Sequence, residues 1–432
     1  MQPQRFCREW VKGKLKKSRI RWLLSFFSAV TTLAAFAMSV NAIPPLVTSI
    51  AVDFGFSINI FGYLFSLQFF IFMIASFAGG ELLERTGVKP GLLVAIGLVG
   101  LSFSFFIMPM LSTLRELLFW VVLLGFSGGL VETFASVIIS GYDSPGSGRL
   151  LNFSQVFYCV GAIAAPWIVA SLLEQQVSWE SIFILFGVLE IVLALFFIIL
   201  SFQNVWGFTD TMKRGDGNPG RVDLDGEGSA REGSRGTEEA SAAPLFTNAL
   251  FIFLSFSILI YVLSESFLVF WLPAYLEIHY SFSPAAAARA VSYYWTGLII
   301  GRIAVVFFPD RISLWHIIII SSAGMLGSSL VLSFTLETTV LIPMIILIGI
   351  FFGPVWATIV SIGKHNSRTP GLIAGLIGAG SLGASLGPLL SSAVIRIGGF
   401  QSFFPVLSAG LVLLIVFIII SKRTVDNQGV SV

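Results

Sequence analysis

Residues 117–140 read LLFWVVLLGFSGGLVETFASVIIS, a run with one ionisable side chain, Glu132. About 20 mainly apolar residues in a helix cross the hydrocarbon core of a bilayer, so this run is long enough to span one. An ionised acid at mid-span costs about 2.5–3.5 kcal/mol on insertion scales, so Glu132 must face protein or water rather than lipid. Gly125, Gly128 or Gly129, Glu132 and Ser136 recur at helical spacing and predict one small, polar face. The functional reading of Glu132 is a proton or substrate group in a cavity. The alternative is an acid that only hydrogen-bonds a neighbouring helix.

The rest of the chain has the same character. Of 432 residues, 56% are hydrophobic and 11% charged, with a mean hydropathy of +0.92, whereas a soluble domain keeps about a quarter of its residues charged. Apolar runs this long suit helices and not alternating barrel strands. The composition therefore predicts a polytopic helical membrane protein. A net charge of +2 gives no reason to expect nucleic acid as a partner. Cys7 and Cys159 do not form a disulfide framework, and three histidines in all offer no cluster with metal spacing, so neither metal nor cofactor is expected.

Hydropathy predicts twelve spans, at 22–48, 58–80, 90–111, 117–140, 152–172, 182–203, 247–273, 291–309, 314–335, 338–362, 371–394 and 401–421. With the N-terminus inside, 22 of the 25 Lys and Arg residues fall on cytoplasmic segments, Arg302 being counted there although it lies in a span. Arg115, Arg289 and Arg396 fall outside. The positive-inside rule thus places both termini in the cytoplasm, for a multi-pass protein of a plasma or inner membrane. Residues 1–21 form a basic tail, too firmly followed by further spans to be a signal peptide. Residues 22–203 and 247–421 form two six-helix bundles, and 422–432 a short C-terminal tail. Between the bundles, 204–246 is rich in Gly, Ser and both charge signs and reads as a flexible cytoplasmic linker. Partners are a small-molecule substrate and the bilayer, and the chain is expected to act as a monomer.

Gly80-Glu81-Leu82-Leu83-Glu84-Arg85-Thr86-Gly87-Val88-Lys89 joins spans two and three, and Gly301-Arg302 with Asp310-Arg311 is a weaker echo between spans eight and nine. Gly80, Glu84, Arg85 and Gly87 are the candidate gating residues, a tight turn with an acid beside a base. Matching loops in two halves fit parallel repeats around a midplane site. This loop resembles the signature of the major facilitator superfamily, with Glu84 where Asp is commoner. Gly128-Gly129-Leu130-Val131-Glu132-Thr133, with Arg149-Leu150-Leu151-Asn152-Phe153-Ser154-Gln155, is similar to the fucose/proton symporter branch. The resemblance implies an all-α fold of twelve transmembrane helices in two six-helix pseudo-repeats. It also implies proton coupling through Glu132 and a sugar site lined by span five. Where that branch has Asn-Asp in its first helix, this chain has Asn41-Ala42, and Glu265 on span seven is the candidate second acid.

Candidate substrate groups are Asn41, Asn152, Gln155 and Tyr158, together with Tyr261 and Trp356, which add a phenol and a stacking face. These groups include no fixed cation, which suits a neutral, polyhydroxylated solute. The expected function is proton-coupled transport of a small polar solute, a sugar, by alternating access. An uncoupled facilitator or exporter, or a transporter-like solute receptor, are the alternatives. No base–nucleophile pair points to an enzyme.

Overall fold

The computed structural model describes residues 3–140, 149–202, 249–306, 312–335, 337–366 and 370–427. Their side chains are described from Leu23 onward, except at Glu84 and at several helix ends that include Asn152. The expected linker lies outside the described residues, as does the Asp310-Arg311 pair.

Twelve spans are present among the described residues. They are α1 (Pro3–Ala42), α2 (Asn59–Thr86), α3 (Pro90–Ile107), α4 (Leu114–Ser140), α5 (Arg149–Glu174) and α6 (Trp179–Phe202) in the first half. The second half has α7 (Ala249–Tyr280), α8 (Pro284–Val306), α9 (Leu314–Phe334), α10 (Thr338–Phe352), α11 (Pro370–Gly398) and α12 (Phe403–Asn427). Eleven segments are long and apolar enough to cross a membrane. The remaining helix is α8, whose Arg289 and Arg302 flank a stretch of Ser, Tyr, Trp and Thr and lower its hydropathy. In lipid a backbone must satisfy its own polar groups, which is why apolar runs of this length fold as helices.

Two spans are interrupted. α1 gives way at Ala42 to a 3-10 turn, Pro44–Leu46, and resumes as a short helix, Val47–Asp53. α10 stops at Phe352, before Gly353-Pro354, and resumes as Val355–Asn366. Proline has no N–H to donate, so it frees a carbonyl in the preceding turn. The hydroxyl of Tyr261 donates at 3.1 Å to the carbonyl of Phe352, the last residue before the break, which has lost its place in the helix ladder.

The packing of α1–α6 recurs in α7–α12. α1 packs on α5 as α7 packs on α11, α2 on α4 as α8 on α10, and α3 on α6 as α9 on α12. Close approach is made in the same way in both halves. A Cβ on Gly161 would lie 2.0 Å from the Ala34 carbonyl oxygen, and one on Gly383 would lie 2.3 Å from that of Leu259. Small residues replace hydrophobic drive at such crossings, because lipid is as apolar as the side chains it would displace. Serines bridge α3 to α6 (Ser102 Oγ to Gly187 O, 2.8 Å) and α9 to α12 (Ser329 Oγ to Ser408 Oγ, 2.8 Å).

The halves meet where α2 packs on α11 and α5 on α8, pairings that exchange under the same six-helix shift. The hydrogen bonds described across this interface gather toward the end of the bundle away from the chain termini. There Thr48 donates to Glu277 at 2.6 Å, Ser392 to the Asn59 carbonyl at 2.6 Å and Ser292 to the Ile163 carbonyl at 2.8 Å. Arg289 pairs with Glu174 and lies over the Trp167 ring. Deeper in, Phe270 meets Phe65 and Phe69, with ring centroids 4.7 and 5.3 Å apart. This end is closed.

Candidate functional site

Below the Phe65–Phe69–Phe270 contact, a cavity of about 480 Å3 lies between the halves. Its walls come from both, and they run from mid-depth toward the end that carries the termini. The first half contributes Asn41, Phe69, Phe72, Glu132, Gln155 and Tyr158, and the second Glu265, Phe270, Trp295, Arg302, Trp356 and Ser381. A pocket of a few hundred Å3, mostly apolar with a few convergent polar groups, is the usual form of a small-molecule site.

Three ionisable side chains share this cavity. Glu132 comes from α4, Glu265 from α7 and Arg302 from α8, and each is half-buried. Tyr158 lines the same cavity, within electrostatic range of both acids and in hydrogen-bonding reach of Asn41. The Asn41 amide in turn donates to the Ala37 carbonyl at 2.8 Å, just before the break in α1. Arg302 donates to the Cys159 sulfur at 3.2 Å and lies within reach of the Tyr261 hydroxyl. Glu265 is close enough to act on Arg302. Even so, no carboxylate of the described residues lies within 4.0 Å of the guanidinium. The α8–α10 crossing holds Arg302 here: Gly353, at the break in span ten, has its Cβ direction 2.8 Å from the Arg302 backbone nitrogen.

A cavity between two structurally repeated six-helix halves, closed at one end, is the architecture of a secondary transporter. A family model described as Major Facilitator Superfamily matches residues 26–380. The chain belongs to this superfamily. The TsgA homologue of Serratia proteamaculans (strain 568) is 20% identical over 384 residues, covering 88% of this chain and 89% of that protein. TsgA of Shigella flexneri is 21% identical over 341 residues, covering 76% and 77% respectively. Among solved structures, the nucleoside transporter NupG superposes with a TM-score of 0.69 at 15% identity, covering 93% of this chain and 99% of that one. A bacterial homologue of the human lysosomal transporter Spinster, inward-facing and occupied, gives 0.70 at 15% identity, with 93% and 97% covered. The likeness to both structures is one of fold. As a superfamily member the chain is a multi-pass membrane transporter and not an enzyme.

Of the substrate groups read from sequence, this transporter brings Asn41, Gln155, Tyr158 and Trp356 together on the cavity wall, with the two acids. The Asn152 side chain lies outside the described residues. Tyr261 does not belong with them. It is fully buried behind the wall, where its hydroxyl caps the broken tenth span, and the interruption of a helix 91 residues away left no mark near Tyr261 in sequence. The glycines of 125–136 also divide differently from the expected single face. A Cβ on Gly125 or Gly129 would meet the α2 carbonyls of Gln68 (2.2 Å) and Phe72 (2.5 Å), so they serve the α2–α4 crossing. Only Glu132, beyond them, reaches the cavity. Glu190 bridges α6 to Ser39 of α1 at 2.5 Å, inside the first half and away from the cavity.

The expectation of a cavity without a cation does not hold. Arg302, read in sequence as a weak echo of the Arg85 loop, is a wall residue, and Trp295 joins it two turns earlier on the same helix. The signal available was an arginine inside an apolar run, which is costly in lipid unless it faces a cavity or a partner. At the loop between α2 and α3, Arg85 pairs with Glu81 one turn earlier, while the Glu84 side chain lies outside the described residues. Gly87 ends α2 at φ +65°, a left-handed cap suited to glycine, and its N–H reaches the Leu83 carbonyl at 3.0 Å. Gly80 has open space where a Cβ would be.

Proposed function

We propose that this chain moves a small polar solute across a cell membrane by alternating access, coupled to protons through Glu132. What supports the reading is the placement of Glu132 beside Tyr158, Gln155 and Trp356 on the wall of a cavity that the two halves close at one end only. Alternating access needs a site that both halves contact and that each can uncover in turn. Coupling needs a titratable group whose protonation changes the affinity for solute. The charge bias of the loops puts the termini in the cytoplasm, so the cavity as seen opens inward and the sealed end faces outside. A single copy holds the whole site, consistent with a monomer.

A sugar is the substrate class that the fucose/proton symporter resemblance implies, and amide, phenol and indole groups on one wall suit it. That resemblance rests on the Glu132 and Gln155 stretches alone, and the relatives named above do not narrow the substrate. The deciding experiment is transport into vesicles by the purified protein. Glu132→Gln has the shape of the protonated acid but cannot titrate. It should keep exchange of solute while losing accumulation driven by a pH gradient. If Glu132→Gln still accumulates and Glu265→Gln does not, the proton site is Glu265. If both accumulate normally, proton coupling through this cavity is wrong.

A further inference from the structure

Arg302 is the least compensated charge in the cavity. A guanidinium has five N–H donors and never gives up its proton. Its one hydrogen bond among the described residues goes to a thiol, which is a weak acceptor, and the next oxygen within reach is the neutral Tyr261 hydroxyl. Tyr294 is near as well, with its own hydroxyl buried and unpartnered. Glu265 acts on Arg302 from beyond ion-pair distance, and Glu132 is farther into the first half. A half-buried cation in a membrane core, with donors left over and a void in front of it, is arranged for an anion that comes and goes.

We propose that Arg302 anchors an anionic group of the transported solute, such as a carboxylate, and that Glu265 is its counter-charge when the cavity is empty. This rests on the transport reading above and narrows the solute from a neutral sugar to a polar organic anion. The remaining wall, with Gln155, Tyr158 and Trp356, would hold the uncharged part. Charge counting then links the anion to protons. With Glu132 and Glu265 both ionised, the three groups carry one net negative charge and repel an anion. With both protonated, they carry one net positive charge and attract it. The titratable groups that face Arg302 and Glu265 are Tyr261, Tyr294, Cys159, Tyr158 and Glu132, and none of them is a second cation. An anion on Arg302 and a proton on Glu265 therefore favour each other, which is the condition for symport.

The test uses purified full-length protein in lipid nanodiscs and matched pairs of probes: galacturonate with galactose, lactate with propane-1,2-diol, and glycerol 3-phosphate with glycerol. Thermal stabilisation and titration calorimetry read binding. At mildly acidic pH at least one anion should stabilise the protein more than its neutral partner. Its affinity should fall at least about tenfold, or about 1.4 kcal/mol, in Arg302→Gln. Arg302→Lys keeps the charge without the planar fork. It should retain weakened binding and so separates loss of the site from loss of the fold. Raising the pH should weaken the anion in the wild type and weaken it less in Glu265→Gln, where only Glu132 still titrates in the cavity. The proposal is overturned if no anion outperforms its neutral partner, or if Arg302→Gln binds the anion as the wild type does. Anion binding that depends on Arg302 without gradient-driven flux would instead sink the transport reading and leave the anion site standing. Accumulation of neutral solute, unaffected by Arg302→Gln, would do the reverse.

Discussion

Gly301→Ala isolates the crossing that holds Arg302 in place. A Cβ at this position would lie 1.9 Å from the Ile350 carbonyl oxygen, whereas real Cβ contacts essentially never fall below 3.0 Å, so α8 and α10 must part by at least the difference of 1.1 Å. The obstacle is a helix carbonyl, which cannot rotate aside as a side-chain tip would. Overpacking of this kind costs about 1–3 kcal/mol. Replacing a helical glycine by alanine also gains up to about 1 kcal/mol of helix propensity, which would mask part of the loss. Gly378→Ala supplies the correction, because nothing lies within 4 Å of a Cβ there and it shares the propensity gain. The difference in unfolding free energy between the two variants, measured in the same detergent, should therefore be about 1–3 kcal/mol, with Gly301→Ala the less stable. Binding should weaken in Gly301→Ala as well, because Arg302 and Gly353 move with the helices. If Gly301→Ala is as stable as Gly378→Ala, the two helices do not meet as described, and the placement of Arg302 falls with them.

Other outcomes follow from the same geometry. Tyr261→Phe should cost about 1–3 kcal/mol of stability by leaving the Phe352 carbonyl without its donor, yet leave solute preference unchanged. A changed preference would return Tyr261 to the binding wall. Phe270→Leu removes one ring of the closed end while keeping most of its apolar bulk. Aromatic pairs contribute about 0.5–1.5 kcal/mol beyond burial, so labelling of Ser266→Cys from that end by an impermeant maleimide should rise about two- to tenfold. Unchanged labelling would mean that these rings are not the seal. Tags placed at Asp225 and at Val432 should both report from the cytoplasm, and an external signal at either would overturn the twelve-span topology.

The acids and amides of the cavity were partly legible in sequence, and the reason differs from residue to residue. Glu132 and Glu265 stand out because an ionisable group in an apolar run has few places to go. Gln155, Tyr158 and Trp356 were found as polar or amphipathic groups at mid-span. Tyr261 satisfied the same criterion but lies behind the wall, since its partner is a backbone carbonyl at the break in another helix. Arg302 was in plain view and was read with its sequence neighbours instead of its spatial ones, of which Cys159 lies 143 residues away.

Sequence by itself determined that the chain crosses a membrane twelve times, in two halves of six, and which residue types could carry the chemistry. Those are properties of the solvent each segment must enter, and hydropathy and charge record them locally, residue by residue. Only the tertiary structure decided which faces meet. Rotating α4 or α8 about its axis leaves its hydropathy unchanged but turns Glu132 or Arg302 from a cavity to a helix contact. That rotation is set by glycines against carbonyls on helices far away in the chain, such as Gly129 on Phe72 and Gly301 on Ile350. Steric fit between distant segments has no local signature, and so the cavity, its fixed cation and its closed end appear only once the helices are packed.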